Sequence, residues 1–267
     1  MIARRFGCFV ILHIVVNFVH AEHVNVAVAS NFATPMKAIV EAFEEASGHS
    51  VSLSFGSSGK FYAQIRNGAP FSVFFSADQA KPIALEKSGL VVDESRFSYA
   101  VGQLALWSPK PGYIKEEGRV LTKGKFRRIA LANPKLAPYG TAALEVLENL
   151  GLKDKTQAKW VRGENIAQTY QFISTGNADL GFVAFSQIIE STSTSTSTST
   201  STNKKGAYWL IPSELHSPIF QDAVLLQNGK NNTAAQGLMR FLRSESASEI
   251  IKSYGYTLPL IKHKAAK

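Results

Sequence analysis

The sequence predicts an α/β fold. Short runs rich in β-branched and aromatic residues alternate along the chain with longer segments whose apolar residues recur every three or four positions. The first pattern is typical of strands and the second of amphipathic helices. Strands that alternate with helices indicate largely parallel sheets covered by helices. At 267 residues the chain can form one large domain or two smaller ones with their own cores.

The first half of the chain opens with a predicted strand at residues 23–30. The helix after it ends at Gly48 and shares one apolar face among Met36, Ile39, Val40 and Phe43. Further strands are expected at residues 50–55, 72–77 and 104–108. Two more helices are expected between them, at residues 58–66 and 79–88.

The second half repeats this alternation. Strands are expected at residues 127–133, 179–185, 207–212 and 222–228. A loop from Pro134 to Gly140 leads into a helix, and this helix shares one apolar face among Ala143, Val146, Leu147 and Leu150. A helix at 165–174 and helices near the C-terminus complete the pattern.

Residues 1–21 are predicted to form a secretory signal peptide. Arg4 and Arg5 precede a short apolar run, and Val19 and Ala21 put small residues at the −3 and −1 positions of a cleavage site. The apolar run is shorter than the roughly 20 residues that a membrane-spanning helix needs. The sole cysteine, Cys8, lies in this segment. We therefore expect a mature chain without disulfides in the periplasm or an equivalent extracytoplasmic space.

The net charge of +9 raises the question of an acidic partner. Basic residues are scattered, with small clusters around residues 123–128 and 262–267, and no basic motif is interleaved with aromatic residues. We therefore expect a generally basic surface and no nucleic-acid partner.

Residues 191–202 are six Ser-Thr dipeptides in a row. Nothing in this run can be buried in an apolar core, so ordering it would cost entropy without a compensating gain. We predict a disordered surface loop at 191–203 that interrupts the fold. A loop that carries a modification or binds a partner is the alternative.

The turn Gly56-Ser57-Ser58-Gly59-Lys60 joins a predicted strand to a predicted helix. It is not a nucleotide-binding P-loop, because Ser54 and Phe61 stand where that motif needs a glycine and a hydroxyl residue. Two interpretations remain. Ser58 caps the helix in both, and in one of them the helix start also binds an anion through its amides and hydroxyls.

Three further helix starts resemble this turn, at Ser30-Asn31, at Tyr139-Gly140-Thr141 and at Asn165-Ile166. In an α/β sheet, helix starts that follow strands lie at the carboxyl ends of those strands, where ligands bind. Four such starts that converge could hold a multivalent anion without any lysine or arginine.

Longer stretches of the sequence resemble one known family. They are VAVASNFATPMKAIVEAFEEASGHSVSLSFGSSGKFYAQIRNGAPFSVFFSADQ, IALANPKLAPYGTAALEVLENLG, GENIAQTY, ADLGFVAFSQI and SASEIIKSYGYTLP. Together they resemble the periplasmic molybdate-binding proteins, the ModA family of ABC-transporter solute receptors. The resemblance runs from about residue 24 to residue 260.

The resemblance implies a two-lobed periplasmic binding protein fold of type II, with the ligand cleft between lobes joined by a two-stranded hinge. Lobe 1 would comprise residues 22–104 and 223–262, and lobe 2 residues 105–222. The family's anion contacts fall on Ser30 and Ser58, and on the backbone amides of Tyr139 and Ile166. Asn31 and Ala184 are further expected cleft contacts, although Ala184 stands where some members supply a tyrosine hydroxyl.

The implied function is high-affinity binding of molybdate and tungstate and their delivery to the membrane permease of an ABC transporter. The protein would be a monomer without enzymatic activity or a cofactor. It would bind molybdenum only as the oxyanion, with no direct protein ligand to the metal. Because molybdate can only accept hydrogen bonds, we expect it to be distinguished from the smaller sulfate ion by cavity size.

Two alternatives remain open. The chain could be a receptor of the same fold for another oxyanion, such as sulfate or phosphate. It could also be a hydrolytic enzyme, but it has no Gly-x-Ser-x-Gly motif and no histidine with an evident carboxylate partner. Asp78 and Glu164, near the expected cleft, are predicted to make capping or hinge hydrogen bonds.

Overall fold

The computed structural model describes residues 21–115, 118–189 and 206–259. Within these residues ten strands form two five-stranded sheets with helices packed against them. We call the first sheet with its helices lobe 1 and the second lobe 2. The Ser-Thr segment 191–203 and all but the last residue of the predicted signal peptide lie outside the described residues.

The bounds of the regular elements are as follows. The strands are β1 (His23–Ala29), β2 (Ser50–Gly56), β3 (Val73–Phe75), β4 (Phe97–Gly102), β5 (Leu104–Ser108), β6 (Ile129–Ala132), β7 (Trp160–Gly163), β8 (Leu180–Ala184), β9 (Ala207–Leu210) and β10 (Ile219–Leu225). The α-helices are α1 (Ala33–Ser47), α2 (Ser58–Arg66), α3 (Ala80–Lys87), α4 (Arg119–Lys123), α5 (Pro138–Asn149), α6 (Lys153–Thr156), α7 (Ile166–Ser174), α8 (Thr233–Phe241) and α9 (Glu245–Ser253).

Both sheets are mixed, but four of the five strands in each run in the same direction, in agreement with the expectation of largely parallel sheets. The strand orders are β2-β1-β3-β10-β4 and β7-β6-β8-β5-β9. Strand β10 runs antiparallel to β3 and β4, and β5 runs antiparallel to β8 and β9. Only Gln103 separates β4 of the first sheet from β5 of the second, so the chain passes from one sheet to the other within a single residue.

Several predicted elements differ from the observed ones. Strands β4 and β7 were not predicted. Helix α5 begins at Pro138, inside the predicted loop, since proline is favoured in the first turn of a helix. Strand β10 begins at Ile219, three residues before the predicted start.

The predicted helix faces lie in the cores of the two lobes. In lobe 1 Met36, Ile39 and Phe43 of α1 are buried against the sheet together with residues of α8 and α9. In lobe 2 Val146 and Leu147 of α5 pack into the second core. These apolar faces attach each helix to its sheet and thereby fix where the helix begins.

The chain passes from lobe 1 to lobe 2 between β4 and β5 and returns between β9 and β10. The boundaries predicted at 104/105 and 222/223 fall inside β5 and β10, so judged by sheet membership each crossing lies slightly earlier in the chain. Among the described residues, the structure contains no helix with the length and apolar character of a membrane span.

Candidate anion site

A small cavity lies between the two lobes and brings together most of the predicted site residues. Its volume is about 190 Å³, including space open to solvent. The residues that line it are Ala29, Ser30, Asn31, Gly56, Ser57, Ser58, Ala77, Ala137, Pro138, Tyr139, Asn165 and Ile166. Five of the six residues predicted from the sequence are in this set. Ala184, the last residue of β8, is not among them.

The registers of the parallel strands explain why these residues meet. Ala29 of β1 pairs with Gly56 of β2, so the two strands end side by side. Ala132 of β6 likewise pairs with Gly163 of β7 in the other lobe. The segments that follow these strands therefore start at the carboxyl edge of each sheet, where an α/β protein binds its ligands.

Two consecutive serines at the start of α2 have different roles, which corrects the prediction that Ser58 is the cap. The cap is Ser57, whose Oγ accepts a hydrogen bond from the Lys60 amide at 3.3 Å. Ser58 is the first residue of the helix, and its Oγ accepts a hydrogen bond from the Ala77 amide at 2.9 Å. Since the hydroxyl oxygen is the acceptor there, its proton remains available for the cavity.

The backbone amides at the helix starts supply further donors. In α2 the amides of Gly59, Lys60 and Phe61 donate to Leu136, Ser57 Oγ and Ser57, respectively. Among the described residues, this leaves the Ser58 amide at the cavity wall. The first amides of a helix have no acceptor within the helix, and they lie at its positive end.

The helix starts of lobe 2 also present backbone amides. In α5 the amides of Gly140 and Thr141 donate to Ala137, while Pro138 has no N–H. The Tyr139 amide therefore remains at the cavity wall. Ile166 is the first residue of α7, which Asn165 caps by accepting from the Gln168 amide at 2.9 Å. Tyr139 and Ile166 thus lie where their amides can donate to an anion.

A buried hydrogen-bond network holds Asn31 beneath the cavity. Asn31 Nδ2 donates to Gln221 Oε1 at 2.8 Å and to the Tyr256 hydroxyl at 3.1 Å. The Asn31 carbonyl accepts from Tyr256 at 2.8 Å and from Ser186 Oγ at 2.9 Å. The Asn31 side chain is therefore fixed by protein partners rather than free to contact a ligand. No local sequence pattern marks Gln221, Ser186 or Tyr256 as part of the site.

Tyrosine hydroxyls in this network stay neutral. Burial raises the pKa of Tyr139 well above its usual value of 10, and the nearby Tyr256 and Tyr99 raise it further. Burial also raises the pKa of Tyr256 to about 12. Gln221 Nε2 donates to the Tyr139 hydroxyl at 3.3 Å, so the side chain of Tyr139 points into the network. No negative charge from these phenols opposes an anion near neutral pH.

The described residues that line the cavity are all uncharged. Lys60 pairs with Glu164 at 2.5 Å, so Glu164 makes an ion pair rather than the capping or hinge hydrogen bond that we predicted. Asp78 accepts from the Lys81 amide at 3.0 Å in the first turn of α3, which confirms its predicted capping role. Within the described ranges, no group of three or more His, Cys, Asp or Glu residues could hold a metal ion.

A second, larger groove between the lobes suits an anion less well. It has a volume of about 860 Å³, including open space, and its walls include Asp78, Lys81 and Glu145. Two carboxylates would repel a dianion there. The small cavity has uncharged walls and hydrogen-bond donors from both lobes, and such a site can bind an oxyanion without a counter-ion.

The chain is similar to known solute-binding proteins over most of its length. A family profile described as bacterial extracellular solute-binding protein matches residues 24–257. The molybdate-binding protein ModA of Azotobacter vinelandii is 51% identical over 238 residues, which is 89% of this chain and 91% of the relative. ModA of Rhodobacter capsulatus is 45% identical over 236 residues, with 88% of both chains covered.

A solved structure, that of the Azotobacter vinelandii periplasmic molybdate-binding protein, matches with a TM-score of 0.82 and 40% identity over 88% of this chain and 99% of that one. The match confirms the two-lobed periplasmic binding protein fold. Family membership also confirms that the chain is a solute-binding protein and not an enzyme. The chain belongs to the ModA family of bacterial extracellular solute-binding proteins.

Proposed function

We propose that the mature protein binds molybdate or tungstate in the small cavity between its lobes, one ion per chain. The observation that carries the proposal is the set of uncharged donors that converge on this cavity from both lobes. Relatives at 51% and 45% identity that are named molybdate-binding proteins support the choice of ligand.

The chemistry of the ligand fits these donors. Molybdate and tungstate carry no proton near neutral pH, so each oxygen can only accept hydrogen bonds. The hydroxyl of Ser58, the residue Ser30 and the amides of Tyr139 and Ile166 would donate to different oxygens. A lysine or arginine in the cavity would attract every anion alike. Without one, the dimensions of the cavity decide which ion is bound.

Sulfate and phosphate are the competing ligands. Sulfate has the charge and shape of molybdate but shorter bonds to oxygen, so it would leave donors unpaired at about 1–3 kcal/mol each. Phosphate carries a proton near neutral pH and needs an acceptor. Asp78, a carboxylate near the cleft, does not line the small cavity and so cannot supply this acceptor there. Both ions therefore fit the donor set less well.

The remaining functional expectations follow from the proposed ligand. We propose that the protein works as a monomer in the periplasm, closes on the anion and delivers it to the permease of an ABC transporter. It would need no cofactor, since the donors belong to the chain itself.

Calorimetric titration of the mature protein with four anions tests this proposal. Molybdate and tungstate should bind with one-to-one stoichiometry. Sulfate and phosphate should bind at least tenfold more weakly, because one unpaired donor at about 1.4 kcal/mol already corresponds to a factor of ten. Sulfate that binds as tightly as molybdate would contradict selection by cavity size.

Deleting residues 191–202 should leave molybdate affinity unchanged, because a long polar loop contributes no core and its length has little effect on stability. The flanking described residues, Ile189 and Gly206, do not line the cavity. Titration of the deletion variant tests this, and a loss of affinity beyond about tenfold, or 1.4 kcal/mol, would show that the segment takes part in binding.

A further inference from the structure

We propose that Gly59 and Lys60 form a clasp that holds the mouth of the cleft closed and sets the rate of anion release. The inference rests on the proposed function and adds to it a role for two residues that do not line the cavity. Ser57 of the same turn caps the helix, and both Ser57 and Ser58 line the cavity, whereas Gly59 and Lys60 contact the opposite lobe.

The first half of the clasp is a backbone contact between lobes. The Gly59 amide, in the first turn of α2 in lobe 1, donates to the Leu136 carbonyl of lobe 2 at 2.9 Å. A Cβ placed on Gly59 would lie 2.9 Å from the Leu136 oxygen and 3.0 Å from its Cα. Because both are backbone atoms, the two lobes can approach this closely only while residue 59 has no side chain.

The second half is an ion pair between lobes. Lys60 Nζ lies 2.5 Å from Glu164 Oε2, just before α7 of lobe 2. The two side chains are 47% and 59% exposed, so the pair lies at the surface, where water and salt weaken it. Consecutive residues of α2 thus contact two separate segments of lobe 2, which flank the cavity residues Tyr139 and Ile166.

Opening the cleft must break both contacts. The clasp therefore stabilises the closed arrangement by an amount that is independent of the anion. In a protein that closes on its ligand, such contacts slow ligand release and increase affinity without changing which ion is preferred.

Substitution of Gly59 tests the backbone contact. Gly59→Ala and Gly59→Val should raise the dissociation constant for molybdate progressively, by about tenfold or more for valine, mainly through faster release. The melting temperature without ligand should not fall, since both residues suit a helix better than, or about as well as, glycine. Ala63→Val, at an exposed position of the same helix, is the matched control and should bind like the wild type.

A distance measurement makes this test independent of the ligand. The predicted mature chain has no cysteine, so spin labels can be attached at cysteines introduced for exposed Arg66 in lobe 1 and Lys155 in lobe 2. Without any anion, Gly59→Val should lengthen the mean distance between labels or broaden its distribution. An unchanged distribution together with wild-type affinity would overturn the clasp, whereas a wild-type protein that fails to bind molybdate would overturn only the proposed function.

Glu164→Gln distinguishes a clasp from simple attraction of the anion by Lys60. If Lys60 only attracted the anion, removal of a negative charge nearby would tighten binding. The clasp predicts the opposite, a release rate that is higher by about two- to fivefold at low salt and approaches the wild-type rate at high salt. Lys153→Gln breaks the similarly exposed pair Lys153–Glu148 within lobe 2, and it should leave release unchanged. Tighter binding by Glu164→Gln would overturn the ion-pair half of the clasp.

Discussion

Ser58→Asp is expected to abolish molybdate binding while the protein remains folded. An aspartate oxygen can still accept the hydrogen bond from the Ala77 amide, which Ser58 Oγ accepts in the wild type. Negative charge in the first turn of a helix also interacts favourably with the helix dipole. The same charge would lie in the wall of the cavity, however, and would repel a dianion.

Ser58→Ala provides the comparison. It removes a donor to the anion, which weakens binding by about 1.5–3 kcal/mol, or roughly ten- to a hundredfold. It also leaves the buried Ala77 amide without an acceptor and should lower the melting temperature. Titration and thermal unfolding of both variants test this order. Near wild-type affinity in Ser58→Asp would show that Ser58 does not face the bound ion.

Ile166→Pro is expected to weaken binding strongly by removing a single N–H. Ile166 is the first residue of α7, a position where proline is well tolerated because the helix does not use that amide. The preceding residue, Asn165, has φ −146° and ψ 174°, an extended conformation that a following proline also favours. Loss of one donor to a charged oxygen corresponds to about 1.5–3 kcal/mol, which is a ten- to hundredfold higher dissociation constant.

The matched control is Ile166→Val, which keeps the amide. Ile166 is 2% exposed, so both variants lose some packing in the core of lobe 2. Valine should reduce stability by about 0.5–1.5 kcal/mol and leave affinity nearly unchanged. Calorimetric titration of the two proteins separates the amide from the side chain. Equal affinities would show that the Ile166 amide makes no contact with the ion.

Much of the fold could be predicted from local patterns, because an apolar helix face such as Met36, Ile39 and Phe43 records its burial in its own spacing. The direction of a strand leaves no such record. The antiparallel course of β5 and β10 follows from the way in which the chain crosses between lobes, and residue types alone did not indicate it.

The candidate site, too, could be predicted from the sequence only in part. Residues at helix starts, such as Ser58 and Ile166, could be found because each follows a strand and begins a helix. The hydrogen-bond network beneath the cavity could not be found in this way, since Asn31 and Tyr256 are 225 residues apart in sequence and only the fold brings them together. Residue type also could not decide which of two adjacent serines caps α2. That choice depends on the position of the Ala77 amide.

Anomalous X-ray scattering at the molybdenum absorption edge, from crystals of the mature protein with molybdate, tests the central claim most directly. We expect one strong anomalous peak in the small cavity, with the oxygens of the oxyanion within hydrogen-bonding reach of Ser30, Ser58, Tyr139 and Ile166. No lysine or arginine should contact the ion. A peak instead in the larger groove beside Asp78, Lys81 and Glu145, or an ion held by Lys60, would contradict it.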